Sequence, residues 1–292
     1  MSIRNQSGKP KEASPAAKLI FGIILCAIFV GAWQLWADTG KESAESSEEQ
    51  QAQPGTTEAI DISELLKVKT NSVLLPEQLV SYQGMDISFN PDAHEPNWVA
   101  WELTDKETTG TESRSNKFYS DPDVKGCAET YDYSYSGYDR GHMAPAGDMK
   151  WSAEAMNSSF SMANICPQAK SLNTGAWKRL EEKCRKWAAD DGSLVIICGP
   201  VLTDDPIERI GETGVAVPRR FFKVILAPKV KPIRGIAFIM PNDKVPGGMQ
   251  AAAVSIDEVE RVTGHDFFAS LPDDIENAVE SQCDFNAWSN RR

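Results

Sequence analysis

Four consecutive residues, Asp139-Arg140-Gly141-His142, set an acid, a cation, a flexible glycine and an imidazole side by side. An imidazole with an unperturbed pKa of about 6.5 can accept a proton near neutral pH. A guanidinium presents a two-pronged fork to an oxyanion such as phosphate, a task lysine performs less well. Four residues are a weak signal, because a lone histidine is more often a core or surface residue. Downstream follow Asn164-Ile165-Cys166-Pro167-Gln168, then Leu172-Asn173, Trp177, Leu180-Glu181 and Arg185. The order and spacing of the whole set are specific where its parts are not. Taken alone, Glu181 reads as a helix acid paired with Arg185 four residues on, which contributes only about 0.2–0.5 kcal/mol. Asn164 and Asp139 read equally well as turn residues.

As a set, these residues resemble the DNA/RNA non-specific endonuclease family, the endonuclease G-like proteins, with its DRGH, SN-x-x-PQ and N-x-x-x-W-x-x-LE pattern. The match is close from Asp139 to Arg185. It extends more weakly upstream through Pro96-Asn97-Trp98 and Arg114-x-x-x-Phe118-x-x-Asp121-Pro122, and downstream through Gly199-Pro200-Val201 and Pro218 to Lys223. Ala163 stands where the family usually has Ser. The resemblance implies an α+β fold of the ββα-metal (His-Me finger) type, a central mixed or antiparallel sheet flanked by helices. In that fold the histidine lies at a strand end and the metal-binding asparagine near the start of the crossing helix.

The same resemblance implies hydrolysis of phosphodiester bonds in DNA and RNA with little sequence preference, dependent on Mg²⁺ or another divalent cation such as Mn²⁺. His142 is then the general base. Asn173 is the metal's direct protein contact, which suffices because Mg²⁺ prefers oxygen ligands and keeps several waters. Glu181, two helical turns or roughly 12 Å further on, would orient those waters without touching the ion. Arg140 and Arg114 would hold phosphate oxygens, Asn164 would position the site by hydrogen bonding, and Asp139 would fix local structure by pairing. A homodimer stays open. Two other readings compete. A non-catalytic nucleic-acid or protein-binding module would be marked by loss of the histidine or metal ligand, whereas His142, Asn173 and Glu181 are all present. A hydrolase of small phosphate esters would need a closed pocket in place of an open basic groove.

The elements that must position these residues are partly readable. Trp98–Leu103, Leu194–Cys198, Phe221–Leu226 and Ile233–Met240 are short apolar or alternating runs rich in β-branched and aromatic residues, and they predict strands. After Asn173, the residues Trp177, Leu180, Cys184, Trp187 and Ala188 recur at three- and four-residue spacing and predict an amphipathic helix. Shorter helices are predicted over Ser152–Ser158, Ile256–Val262 and Asp273–Glu280, the last with Pro272 in a first-turn position.

The net charge of −12 argues against binding nucleic acid by bulk electrostatics. Between Asp139 and Trp187, however, eight Lys or Arg face five Asp or Glu, so this segment is locally positive. Ahead of the domain, expected from residue 61 to 292, Leu19–Ala37 is uncharged and nearly all apolar behind a basic stretch over residues 1–18. It predicts a transmembrane signal-anchor with the domain outside the cytoplasm, periplasmic or extracellular, in preference to a cleaved signal peptide that would leave the domain secreted. Residues 38–60, rich in Glu, Ser, Gln and Thr, predict a flexible acidic tether. Export permits disulfides among Cys127, Cys166, Cys184, Cys198 and Cys283, but their odd number and lack of CxxC spacing fix no pairing, and core or disulfide is preferred to metal.

Overall fold

The structure, a computed structural model, describes residues 60–71 and 75–289. The expected anchor over 19–37 and nearly all of the tether lie outside those residues. Among the described residues no helix is long and apolar enough to cross a membrane.

In chain order the strands are β1 (Lys69–Thr70), β2 (Gln78–Tyr82), β3 (Met85–Asn90), β4 (Glu95–Thr104), β5 (Asp139–His142), β6 (Ile165–Gln168), β7 (Ser193–Pro200), β8 (Arg209–Ile210), β9 (Val215–Ala216), β10 (Arg220–Ala227), β11 (Arg234–Pro241), β12 (Ala253–Val254) and β13 (His265–Asp266). Seven of them form one sheet in the order β12-β11-β10-β7-β4-β3-β2, with every neighbouring pair antiparallel. Sheet and helices therefore give the α+β class, and the sheet is antiparallel throughout. The four predicted strands are its centre. The β2–β3 edge was not anticipated: β3 alternates polar and apolar residues, but β2 (QLVSY) does not, its Leu79 stays exposed, and the two are joined by a two-residue Gln83-Gly84 turn.

Both faces of the sheet are covered, which is why its central strands read as continuous apolar runs. Along β7, Leu194, Ile196 and Cys198 enter one core, while Val195 and Ile197 enter the other. The first core is closed by Trp177, Leu180, Cys184 and Trp187, the second by Ile256, Val259 and Val279. The helices are α1 (Ile62–Leu65), α2 (Ala153–Ser158), α3 (Lys178–Asp191), α4 (Gly248–Ala252), α5 (Ile256–Thr263), α6 (Asp273–Glu280) and α7 (Phe285–Ser289). Ser152 caps α2 by accepting from the N–H groups of Glu154 and Ala155, and Ser255 caps α5 by accepting from Glu258 N–H. Pro272 is the N-cap residue of α6 and lies just outside the first turn expected for it. The regular part of α3 begins only at Lys178. Before it, Leu172–Trp177 forms a wider π-helical turn, broken at Gly175 (φ −101°, ψ −113°). All five cysteines of the domain are free; Cys166, Cys184 and Cys198 are core residues, so the disulfide option is not realised.

Candidate active site

Strands β5 and β6 form a two-stranded hairpin outside the main sheet, pairing Gly141 with Cys166 and His142 with Ile165. Gly141 is needed on space alone, because a Cβ there would lie 2.3 Å from Gln168 Oε1. The last residue of β5, His142, is held by its main chain: its carbonyl accepts from Trp177 Nε1 at 3.2 Å. The following segment is clipped by Asn164, whose Oδ1 accepts from Ala144 N–H (2.9 Å) and whose Nδ2 donates to the carbonyls of Ala144 (2.8 Å) and Ser159 (2.9 Å). Asn164 is fully buried and does not line the cleft described next.

A cleft of 280 Å³ brings together Arg114, Arg140, His142, Asn173, Lys178, Glu181 and Arg185. Five of the six sequence-predicted residues thus share one wall-to-wall site, and Asn164 supports it from behind. Four cations face the one carboxylate of Glu181, an inversion of the sign of the whole chain. Arg114, Ala146 and Gly147 also line a neighbouring depression of 400 Å³ together with Glu112 and Lys150, so the open surface continues past Arg114.

The His142 ring sits between Phe118 (5.4 Å between centroids) and Phe160 (5.0 Å, edge to face), only 8% exposed, and its Nε2 has no hydrogen-bond partner. Burial, and secondarily the charge of Arg114, pull its pKa down to about 3, well below the ordinary value the sequence suggested. The imidazole is therefore neutral over the whole physiological range, and it is a weaker base than an exposed histidine. Arg114 lies over the Phe160 ring at 5.0 Å and donates through Nε to Asn116 Oδ1. Arg140 lies over Phe118 at 5.4 Å and donates through Nη2 to Thr130 O at 2.6 Å, so part of its fork is already engaged.

Asn173 Nδ2 donates to Asp139 Oδ2 at 3.0 Å. A carboxylate only accepts, which fixes the amide orientation and leaves Asn173 Oδ1 available. That oxygen and the Glu181 carboxylate of the same cleft, which has no hydrogen bond or ion pair among the described residues, are donors of the kind Mg²⁺ takes. Asp139 has the pairing role expected of it. Because Gly175 breaks the turn between them, Asn173 and Glu181 are not joined by the continuous α-helix assumed for the 12 Å separation.

Glu181 does not pair with Arg185. Arg185 reaches across to Asp148 Oδ1 at 2.7 Å, and Asp148 Oδ2 accepts from Trp101 Nε1 at 3.2 Å. Burial pushes Glu181 up to about 7, against the pull of Lys223 and Arg185. Glu181 keeps part of its surface open to the cleft, so the wall behind the carboxylate is what desolvates it.

Lys223 is the residue sequence reasoning passed over. It is 1% exposed, with Nζ 4.4 Å from the Trp177 ring centre and 5.0 Å from that of Trp101. It hydrogen-bonds Cys198, whose thiol donates in turn to Met143 O at 3.3 Å, next to His142. Burial opposes its charge, but the thiols of Cys198 and Cys184 and the carboxylate of Glu181 outweigh it and hold its pKa up. The signal was present: in the run FFKVIL, Lys223 shares the site-facing parity of Phe221 and Ile225.

The chain is similar to known proteins over most of its described residues. The DNA/RNA non-specific endonuclease family model matches residues 64–274. The mitochondrial nuclease EXOG of Danio rerio is 36% identical over 207 residues, covering 65% of this chain and 60% of that protein. The mitochondrial nuclease of Saccharomyces cerevisiae is 33% identical over 215 residues, covering 65% of each. The chain therefore spans less than two thirds of the length of these relatives. Endonuclease G of Bos taurus is 31% identical over 202 residues, covering 64% of this chain and 68% of the relative. The crystal structure of the EndoG/EndoGI complex matches with a TM-score of 0.64 at 26% identity, over 72% of this chain and 92% of that one.

Proposed function

The chain belongs to the DNA/RNA non-specific endonuclease family, and we propose that it hydrolyses phosphodiester bonds of DNA and RNA with His142 as general base and a divalent cation, Mg²⁺ in the first instance, held by Asn173 Oδ1. One observation carries this reading: His142, whose buried Nε2 has no partner, lines a single cleft with Asn173, Glu181 and four cationic side chains.

Arg114 and Arg140 grip the non-bridging oxygens of a phosphate and set the phosphorus before His142. His142 Nε2 takes the proton of the attacking water. Burial is the larger cause of its low basicity; a phosphate that neutralises Arg114 removes the smaller one and so raises the basicity in part. When bound, Mg²⁺ supplies stabilisation of charge on the phosphorane and on the departing oxygen. Asn164 keeps the Met143–Ala144 segment, and hence the end of β5, in place, while Asp139 fixes the Asn173 amide. Contacts of this kind read phosphate and not bases, which supports cleavage without sequence preference. The continuation of the cleft, past Arg114, into a second open depression favours a polymer over a small phosphate ester.

The test is incubation of the full chain with supercoiled plasmid and with RNA, in Mg²⁺, in EDTA and as His142→Ala. Degradation of both substrates that is lost in EDTA and in His142→Ala supports the proposal. A folded wild type that cuts neither sinks it and leaves a binding module. We further propose that Leu19–Ala37 anchors the domain outside the cytoplasm; recovery of the full chain in a salt-washed soluble fraction would refute the anchor.

A further inference from the structure

The sheet face opposite the cleft carries a second group of converging oxygens. Asp257 and Glu260, three residues apart, lie on one side of α5, and Glu280 is the last residue of α6. One carboxylate oxygen from each lies within 4.8 Å of the other two. Glu280 is only 7% exposed, and its Oε1 is sealed from solvent with no hydrogen-bond partner. Glu260 spends Oε1 on the N–H of Phe267 at 2.8 Å, leaving its other oxygen free. No Lys or Arg forms an ion pair with any of the three among the described residues; Lys69 lies 4.0 Å from Asp266 instead.

A buried carboxylate oxygen without a donor, facing two more carboxylates, is a costly arrangement unless a cation or a proton completes it. The separations favour a cation. One ion can bridge three oxygens that all lie within 4.8 Å of one another, and an irregular all-carboxylate set suits Ca²⁺, whose shell is flexible, better than Mg²⁺, which demands octahedral geometry. We propose that Asp257, Glu260 and Glu280 form a binding site for a hard divalent cation of the size of Ca²⁺, which ties α5 to the end of α6. Asp266 and Glu276 add negative potential around it, and burial together with these acids pushes Glu280 up to about 9 and Glu260 up to about 7, so protons hold the site until a cation displaces them.

Thermal unfolding of the EDTA-stripped full chain at pH 7.5, with and without 10 mM CaCl₂, tests this without any reference to nuclease activity. For a Kd of about 10⁻⁴ M, the hundred-fold excess raises the Tm by about 5 °C. The rise persists in Asn173→Ala, which lacks the proposed ligand in the cleft, and is lost in Glu280→Gln, a neutral isostere of the protonated acid. Asp257→Asn, at an exposed position, weakens Ca²⁺ at least ten-fold. A wild-type Tm unmoved by Ca²⁺, or an equal rise in Glu280→Gln or Asp257→Asn, overturns the proposal and leaves a proton-sharing acid cluster.

Discussion

The two titrating groups of the cleft are displaced in opposite directions, and this makes the pH profile a sharp test of the site. Burial holds His142 at about 3 and Glu181 at about 7. Were His142 an ordinary histidine, only about 3% of it would be neutral at pH 5; held near 3, about 99% is. Its protonation therefore contributes no acid limb above pH 4. Glu181, by contrast, is only about one tenth ionised at pH 6, so with Mg²⁺ well below saturation kcat/KM should fall about ten-fold between pH 8 and pH 6. Saturating Mg²⁺ competes with the proton and moves this limb down. The assay is hydrolysis of a fluorogenic oligonucleotide across pH 4–9 for wild type and Glu181→Gln. In the variant, the residual activity should be low and flat down to about pH 4. If the limb stays between pH 6 and 7 in Glu181→Gln, His142 is titrating at its ordinary value and the burial argument fails. Stability carries the same signs: the His142 contribution is intact above pH 6.5 and is lost as pH falls toward 3, while that of Glu181 is intact below pH 4.5 and is lost as pH rises through 7.

Asn164→Ala removes three hydrogen bonds and strands the Ala144 N–H and two carbonyls in the core, which should cost about 3 kcal/mol, measured as a fall in denaturation midpoint at unchanged m. Lys223→Met keeps the slot between Trp101 and Trp177 filled but deletes the charge that holds Glu181 down; the acid limb should move above 7 and kcat/KM at pH 7 should fall about ten-fold, and an unchanged profile would reduce Lys223 to packing. Arg114→Ala should lower the slope of log kcat/KM against log salt by about one and raise the pKa of His142. A salt slope equal to wild type would show that Arg114 does not touch phosphate.

The parts of this molecule that a sequence reader can see are those whose signal is local. The strand runs around Trp98, Leu194, Phe221 and Ile233 and the helical spacing after Trp177 depend on neighbours within a few residues, and the structure has them. The β2–β3 edge escaped because an edge strand with one face to solvent, as at Leu79, mixes polar and apolar residues in a way that loops also do. The Gly175 break escaped because its energy is set by what Asn173 must reach, namely Asp139, thirty-four residues earlier. The π-helical turn and the Asp139 hydrogen bond turn Asn173 so that one amide oxygen faces the cleft; a regular helix from Leu172 would carry the same residues without that constraint.

Charge shows the same division between local and tertiary signal. A chain of net −12 reads as a poor ligand for nucleic acid, yet the quantity that acts on a phosphate is the potential inside a low-dielectric groove, and there Arg114, Arg140 and Lys178 outnumber Glu181 even with Arg185 paired to Asp148. Acids elsewhere weaken that potential only over distances that salt screens beyond about 8 Å. The acidic remainder of the surface therefore limits adhesion to polyanions outside the groove while leaving the groove's attraction intact. On this reasoning, reversing an acid far from the cleft should raise non-productive binding of DNA, seen as a lower KM with unchanged or lower kcat, whereas loss of a cation lining the groove should raise KM.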